Sequence, residues 1–173
     1  YPDDLRVEQD PQDWYRATVE TMRGVLPDHP EQVAAISFST QGGSTVPIGA
    51  DGGPLSAAIS WMDQRSHAQA EALGRARGQK EHHRVTGTRA AAYYSAAHIA
   101  WMREAEREVF ADANRFVTTL DFLNARLTGR FAIDPTNALM TGMLDISAGD
   151  WDEFTLRAVG VERERLSGIL PSG

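Results

Sequence analysis

The chain contains no cysteine. Disulfides, thiolate nucleophiles and cysteine-ligated zinc are thereby excluded. Lysine is nearly absent as well. Lys80 stands alone, and arginine supplies the rest of the 17 basic residues. Against them stand 24 acidic residues, for a net charge of −7. Binding a phosphate backbone requires clustered cations, so no nucleic-acid partner is expected. No stretch of 18 or more residues is continuously apolar, which argues against a membrane span or a membrane partner. No basic segment followed by an apolar one opens the chain, so a secretory signal is not expected and a cytoplasmic location is. Of the five histidines, only His82 and His83 are neighbours, and adjacent residues on a helix face different sides. No metal site is expected from them. The G-x-x-x-x-G-K-[ST], G-x-G-x-x-G, H-E-x-x-H and G-x-S-x-G motifs are all missing.

What is present is a chain of 173 residues, 42% of them hydrophobic. That is the size of one domain with a genuine core. Asp10-Pro11 marks a helix start, because aspartate caps and proline suits the first helical position. Pro27 and Pro30 are expected to end that helix. Val33 to Ser39 reads as a buried strand, Ser44 to Ile48 as a second and Ala57 to Trp61 as a third, together a compact sheet. Helices are expected over Ser66–Arg77, Ser95–Glu106, Thr119–Leu127 and Trp151–Val159, with another opening at Pro135. Phe116–Thr118 and Phe131–Asp134 read as brief strands. Strands followed by helices make the fold class α/β.

The chemistry-bearing residues concentrate between Val33 and Arg65. Gln41-Gly42-Gly43 follows one strand, and Trp61-Met62-Asp63-Gln64-Arg65 ends another. A flat indole with amide, carboxylate and guanidinium groups nearby suits a polyol: the ring covers C–H faces and the polar groups bind hydroxyls. The bland alternative places Trp61 in the core and makes Asp63 and Arg65 a structural ion pair.

Five segments resemble, in order, motifs of the FGGY family of carbohydrate kinases, which includes xylulokinases and glycerol kinases. They are Val7–Trp14 ("EQDP…W"), Val33–Gln41 ("I-x-x-I-x-x-S-x-Q"), Ala57–Arg65 ("A-I-x-W-x-D-x-R"), Leu127-Thr128-Gly129 ("L-T-G") and Asp134–Ala138 ("D-x-[ST]-N-A"). The resemblance runs from Val7 to about Pro171. It implies a ribonuclease H-like, actin-like ATPase domain with a mixed sheet and flanking helices. Residues 1–173 would then be a partial N-terminal, sugar-binding domain, lacking the family's opening phosphate turn, its catalytic aspartate and the second, ATP-binding domain.

On this resemblance the function is the sugar-binding part of an ATP-dependent sugar or polyol kinase, xylulokinase-like and inactive by itself. A non-catalytic carbohydrate-binding or regulatory module is the alternative. ATP and magnesium belong to the parent enzyme and neither is expected on this stretch. The expected partners are a small sugar or polyol and the remaining ATPase domain, and a homodimer is compatible with the pattern. No catalytic residue is assigned. The resemblance implies substrate-binding roles for Gln41, Gly42, Gly43, Trp61, Asp63 and Tyr93. Asp63 and Arg65 also match bracing positions, and Tyr93 has an alternative as an aromatic packed on Trp101. Asp134 and Asn137 are expected to cap a helix. In xylulokinases Met-His follows the shared glutamine, and in glycerol kinases Arg-Glu does. Gly42-Gly43 at those positions implies a roomier pocket, which Gly43→His would narrow.

Overall fold

The computed structural model describes residues 6–26 and 30–172. Strand β1 (Glu8–Gln9) leads into helix α1 (Pro11–Val25). The start is set locally. The Asp10 carboxylate accepts from the Gln12 amide at 2.8 Å, and Pro11 occupies the first turn, where its missing N–H costs nothing. The helix ends at Val25. Pro27 and His29 lie outside the described residues.

A 3₁₀ turn spans Pro30–Gln32. The strand expected over Val33–Ser39 is not formed: these residues run without strand pairing, and Ile36 is 51% exposed. A strand needs a hydrogen-bonding neighbour, and no described element supplies one. The strand signal of β-branched and apolar residues reports fit to a pleated, covered surface rather than an intrinsic backbone preference.

The next strands do find partners. Strand β2 (Val46–Ile48) is followed by β3 (Ala58–Ile59), which pairs antiparallel with β1. Thr45 and Ile59 exchange both backbone hydrogen bonds, at 2.9 and 3.0 Å, and so join β2 to β3. Helix α2 (His67–Arg77) then runs into α3 (Gln79–Thr86), which the sequence reading missed. His82 is buried on α3 and His83 is exposed, the divergence expected of adjacent helical positions.

Helix α4 (Ser95–Ala105) is the centre of the molecule. Seven of its 11 residues are buried, and a helix apolar on most sides must be covered on most sides. Here α2, α5 (Arg107–Asp112) and a later helix pack on it. Strand β4 (Arg115–Val117) closes the other edge of β2, antiparallel, with Val46 opposite Val117. The sheet around the Gln41 turn therefore runs β4–β2–β3–β1, built largely from pairings distant in sequence.

Helix α6 (Thr119–Thr128) starts with a reciprocal cap between Thr118 and Asp121 and stops at Gly129, whose φ of 75° lies in the left-handed region that favours glycine. Strand β5 (Ala132–Ile133), helix α7 (Pro135–Leu139), strands β6 (Leu144–Asp145) and β7 (Asp150–Trp151), helix α8 (Glu153–Val159) and strand β8 (Gly168–Ile169) complete the order. β5 and β8 pair in parallel, whereas β6 and β7 form an antiparallel hairpin. Trp151 belongs to β7 rather than to the helix expected from it.

Two apolar cores result. The larger gathers Ile59, Ile99, Met102, Phe116, Met143 and Trp151 around α4. The smaller packs Val46, Ile48, Val117 and Phe122 against Trp14 of α1, with the Trp14 and Phe122 rings edge-on at 6.1 Å.

Candidate functional site

Gln41-Gly42-Gly43 forms a bend entering β2, and Trp61 leaves β3. The Thr45–Ile59 pair ties these two ends together. The Trp61 amide donates to Ser44 Oγ at 3.2 Å, which fixes where the indole departs. On the third side Tyr93 precedes α4. The Ala96 amide there donates to the Thr141 carbonyl at 2.9 Å, bringing the chain after α7 alongside.

These elements enclose a cavity of about 300 Å³, lined by Gln41, Gly42, Trp61, Tyr93 and Met140. Trp61 is 46% exposed and Tyr93 40%, so neither ring is spent on the core. Tyr93 packs on Tyr94, ring centroids 4.5 Å apart. Trp101 instead carries the Arg65 guanidinium, 5.0 Å from its ring centre.

Gly43 lies directly behind the cavity. Its φ is +80°, and a Cβ there would stand 2.5 Å from the Tyr93 carbonyl oxygen and 3.3 Å from Trp61 Cβ. No side chain fits, so Gly43→His would break the turn rather than narrow the pocket. Nor is the space beside Gly42 empty. A Cβ at Gly42 would lie 2.9 Å from both Cβ and Cγ of Met140. The roomier pocket expected from two glycines is thus filled from a segment remote in sequence. Nothing local marks Met140 for this role.

Gln41 donates its Nε2 to Gln9 Oε1 at 2.6 Å and lies 3.4 Å from Thr119 Oγ1. Gln9 is a second residue the sequence reading missed, placed here by the pairing of β1 with β3. Asp63 does not line the cavity. It is fully buried, accepts from the Val7 amide at 2.6 Å and the Arg65 amide at 2.8 Å, and takes Arg65 Nη2 at 2.7 Å. Arg65 also reaches Glu8 at 2.7 Å, with its side chain only 4% exposed. The Asp63–Arg65 pair therefore braces the approach of β1 to β3.

Beneath the turn runs a buried polar chain. The Gly43 carbonyl is approached by Thr45 Oγ1 at 3.4 Å and by Ser95 Oγ at 3.5 Å. Thr45 Oγ1 lies 2.9 Å from His98 Nδ1. Complete burial holds the His98 imidazole neutral by pushing its pKa down to about 4. The direction of the Thr45–His98 bond depends on the imidazole tautomer, and His98 Nε2 is buried with no hydrogen-bond partner among the described residues.

Asp134 caps α7, accepting from the Asn137 amide at 2.9 Å and from its Nδ2 at 2.8 Å, as the sequence led us to expect. Among the described residues no group of three or more His, Asp or Glu could hold a metal ion. The cavity lining offers ring faces, thioether carbon and an amide. With no carboxylate and no cation among the lining residues, it does not fit a magnesium–phosphate cluster.

Comparison with known proteins agrees with this architecture. The gluconokinase of Bacillus subtilis is 29% identical over 172 residues, covering 99% of this chain and 34% of its own length. The xylulose kinase of Escherichia coli is 30% identical, covering 97% of this chain and 34% of its own length. The chain thus spans about a third of the length of the curated relatives it matches. The crystal structure of a ligand-bound xylulose kinase from Lactobacillus acidophilus superposes with a TM-score of 0.90 at 25% identity, over 98% of this chain and 35% of that one. The fold is that of an incomplete α/β, actin-like ATPase domain. Residues 1–173 match the model described as "FGGY family of carbohydrate kinases, N-terminal domain", and the chain belongs to the FGGY family of carbohydrate kinases.

Proposed function

We propose that this chain is the sugar-binding part of an ATP-dependent sugar or polyol kinase, and that the cavity of Gln41, Gly42, Trp61, Tyr93 and Met140 is where the acceptor sits. The observation that carries this reading is the convergence of one amide and two half-exposed aromatic rings on a preformed concavity, in a chain whose relatives are named as kinases of gluconate and xylulose. Indole and phenol faces cover C–H surfaces, and the glutamine, its Nε2 held by Gln9, offers its Oε1 to accept from a hydroxyl. Gly43 shapes the wall without contacting the ligand. Asp63 acts from behind, through Arg65 and the β1–β3 pairing.

Phosphoryl transfer is mostly positioning plus electrostatic stabilisation. This domain supplies the positioning: it orients the acceptor hydroxyl and excludes water from one side of it. ATP, magnesium and the group that takes the hydroxyl proton are assigned to the rest of the protein. The 173-residue stretch alone is accordingly inactive.

The test uses the full-length protein with ATP and a panel of ketoses, polyols and aldonates. Phosphorylated product is expected with at least one acceptor. Trp61→Ala is expected to raise KM for that acceptor about tenfold or more, in keeping with an aromatic anchor of roughly 1.4 kcal/mol or above. An acceptor-independent ATPase, or a KM unchanged by Trp61→Ala, would overturn the assignment. Product formed by residues 1–173 alone, above a contaminant control, would overturn the division of labour.

A further inference from the structure

The cavity holds no charged side chain. Its lining is two aromatic rings, a glycine, a methionine and a glutamine whose amide nitrogen is already engaged by Gln9. Arg65 is the cation nearest Trp61 in the sequence, and all three of its guanidinium nitrogens hold carboxylates. Its Nε and Nη2 hold Asp63, its Nη1 holds Glu8, and its guanidinium lies over Trp101. With its side chain 4% exposed, it faces the β1–β3 pairing and is not among the residues lining the cavity.

Aromatic faces carry the negative lobe of the ring quadrupole and attract the positive edges of C–H bonds. A carboxylate set against Trp61 and Tyr93 meets that negative lobe and loses its water without an opposing charge, a costly exchange. Met140 strengthens the bias. Its Cβ and Cγ occupy the volume that a side chain at residue 42 would need, so a polar or charged group cannot be offered from there.

Building on the kinase reading above, we infer that the acceptor is a neutral sugar or polyol that presents a C–H-rich face to Trp61, Tyr93 and Met140, and that Met140 is the specificity-determining residue that disfavours an aldonate. This separates the two activities carried by the relatives, one on an acid sugar and one on a neutral ketose. It places this chain with the neutral class.

The experiment compares kcat/KM for D-xylulose, glycerol and D-gluconate in the full-length protein and in Met140→Lys. Leu55→Lys adds the same charge on an exposed turn outside the cavity and serves as the control. The better neutral acceptor is expected to exceed gluconate by about tenfold or more, within the range that pocket contacts achieve. Met140→Lys is expected to move that ratio toward gluconate by about tenfold, mainly through KM, and Leu55→Lys to leave it where it was. Thermal melting establishes that the variants are folded. Should Met140→Lys fail to fold, the wild-type ratio and tryptophan fluorescence titrations with xylitol and gluconate still decide. A wild-type preference for gluconate, or a folded Met140→Lys with an unchanged ratio, overturns the inference and leaves the kinase reading standing. No phosphorylation of any acceptor overturns both.

Discussion

A Cβ at Gly42 would press on Met140 Cβ and Cγ at 2.9 Å, whereas one at Gly43 would press on a backbone oxygen at 2.5 Å with φ already at +80°. Met140 Cγ can yield by a rotamer change and its Cβ by a small backbone shift, whereas the Tyr93 carbonyl has no rotamer to change. Gly42→Ala is therefore expected to cost about 1–3 kcal/mol, the usual penalty of overpacking. Gly43→Ala adds the left-handed backbone penalty of roughly 1–2 kcal/mol and should cost more. Truncating the obstacle tests this: Met140→Ala removes the Cγ contact and leaves Cβ at 2.9 Å, so it should restore part of the stability lost in Gly42→Ala and none of that lost in Gly43→Ala. Denaturant midpoints of the three single and two double variants give the coupling directly. A rescue of Gly43→Ala would show that the carbonyl is free to move. Which residues come together is legible from the chain alone where a motif is continuous. Gln41, Gly42, Trp61 and Tyr93 reach the cavity because short segments end side by side. It fails for Asp63, since whether a carboxylate two residues from an arginine faces a ligand or that arginine depends on what covers the pair. Met140 and Gln9 were illegible because only the pairing of distant elements brings them in.

Buried groups within α4 and α6 give the two helices opposite responses to pH. Burial holds His98 at about 4 against an ordinary 6.5. Between those values the unfolded chain binds a proton that the folded one refuses, so stability is full above about 6.5 and is lost as pH falls toward 4. Asp121 is the reverse. Burial raises its carboxyl from 3.8 to about 6, over the opposing hydrogen bonds from Ser167 and Thr118. Its contribution is full below 3.8 and is lost as pH rises through 6. From pH 4 to 6 the two largely offset each other. At about 1.36 kcal/mol per pK unit, each is worth up to roughly 3 kcal/mol. The stability of Asp121→Asn minus that of wild type is thus expected to rise by up to that amount between pH 3.8 and 6, and that of His98→Gln to fall from pH 4 to 6.5. Urea midpoints across this range decide, and a flat difference for either variant would remove that group from the account. Helix α1 was readable in advance because its cap, Asp10, acts within one turn. The Val33–Ser39 segment was misread because strand formation needs a neighbour. The sequence pattern specifies a surface to be covered and says nothing of what covers it.

That uncovered segment dominates the behaviour of the molecule as a whole. Val33 to Phe38 border a groove of about 770 Å³ together with Met22, Leu120, Leu127 and Leu170, and Ile36 and Leu127 are 51% and 36% exposed. Extended apolar backbone without ladder partners is a template for pairing with another chain, and apolar patches of this kind are seldom left open on monomers. The chain spans about a third of the length of its curated relatives, so most of such a protein remains available to cover this face. Ile36→Lys discriminates between the two environments. In the 173-residue chain it places a charge on a solvent-facing, unpaired segment and should reduce self-association, read as a lower weight-average mass by sedimentation. If the rest of a longer protein covers the segment, the same lysine there would be buried without a partner and should destabilise by about 3 kcal/mol or more, lowering the melting temperature by several degrees. Hydrogen exchange gives a second reading, with amides 34–39 exchanging fast in the short chain and slowly in the long one. If Ile36→Lys were neutral in both, the groove would be an ordinary solvent-facing surface, and the apolar run at 33–39 would have no structural role in the larger protein.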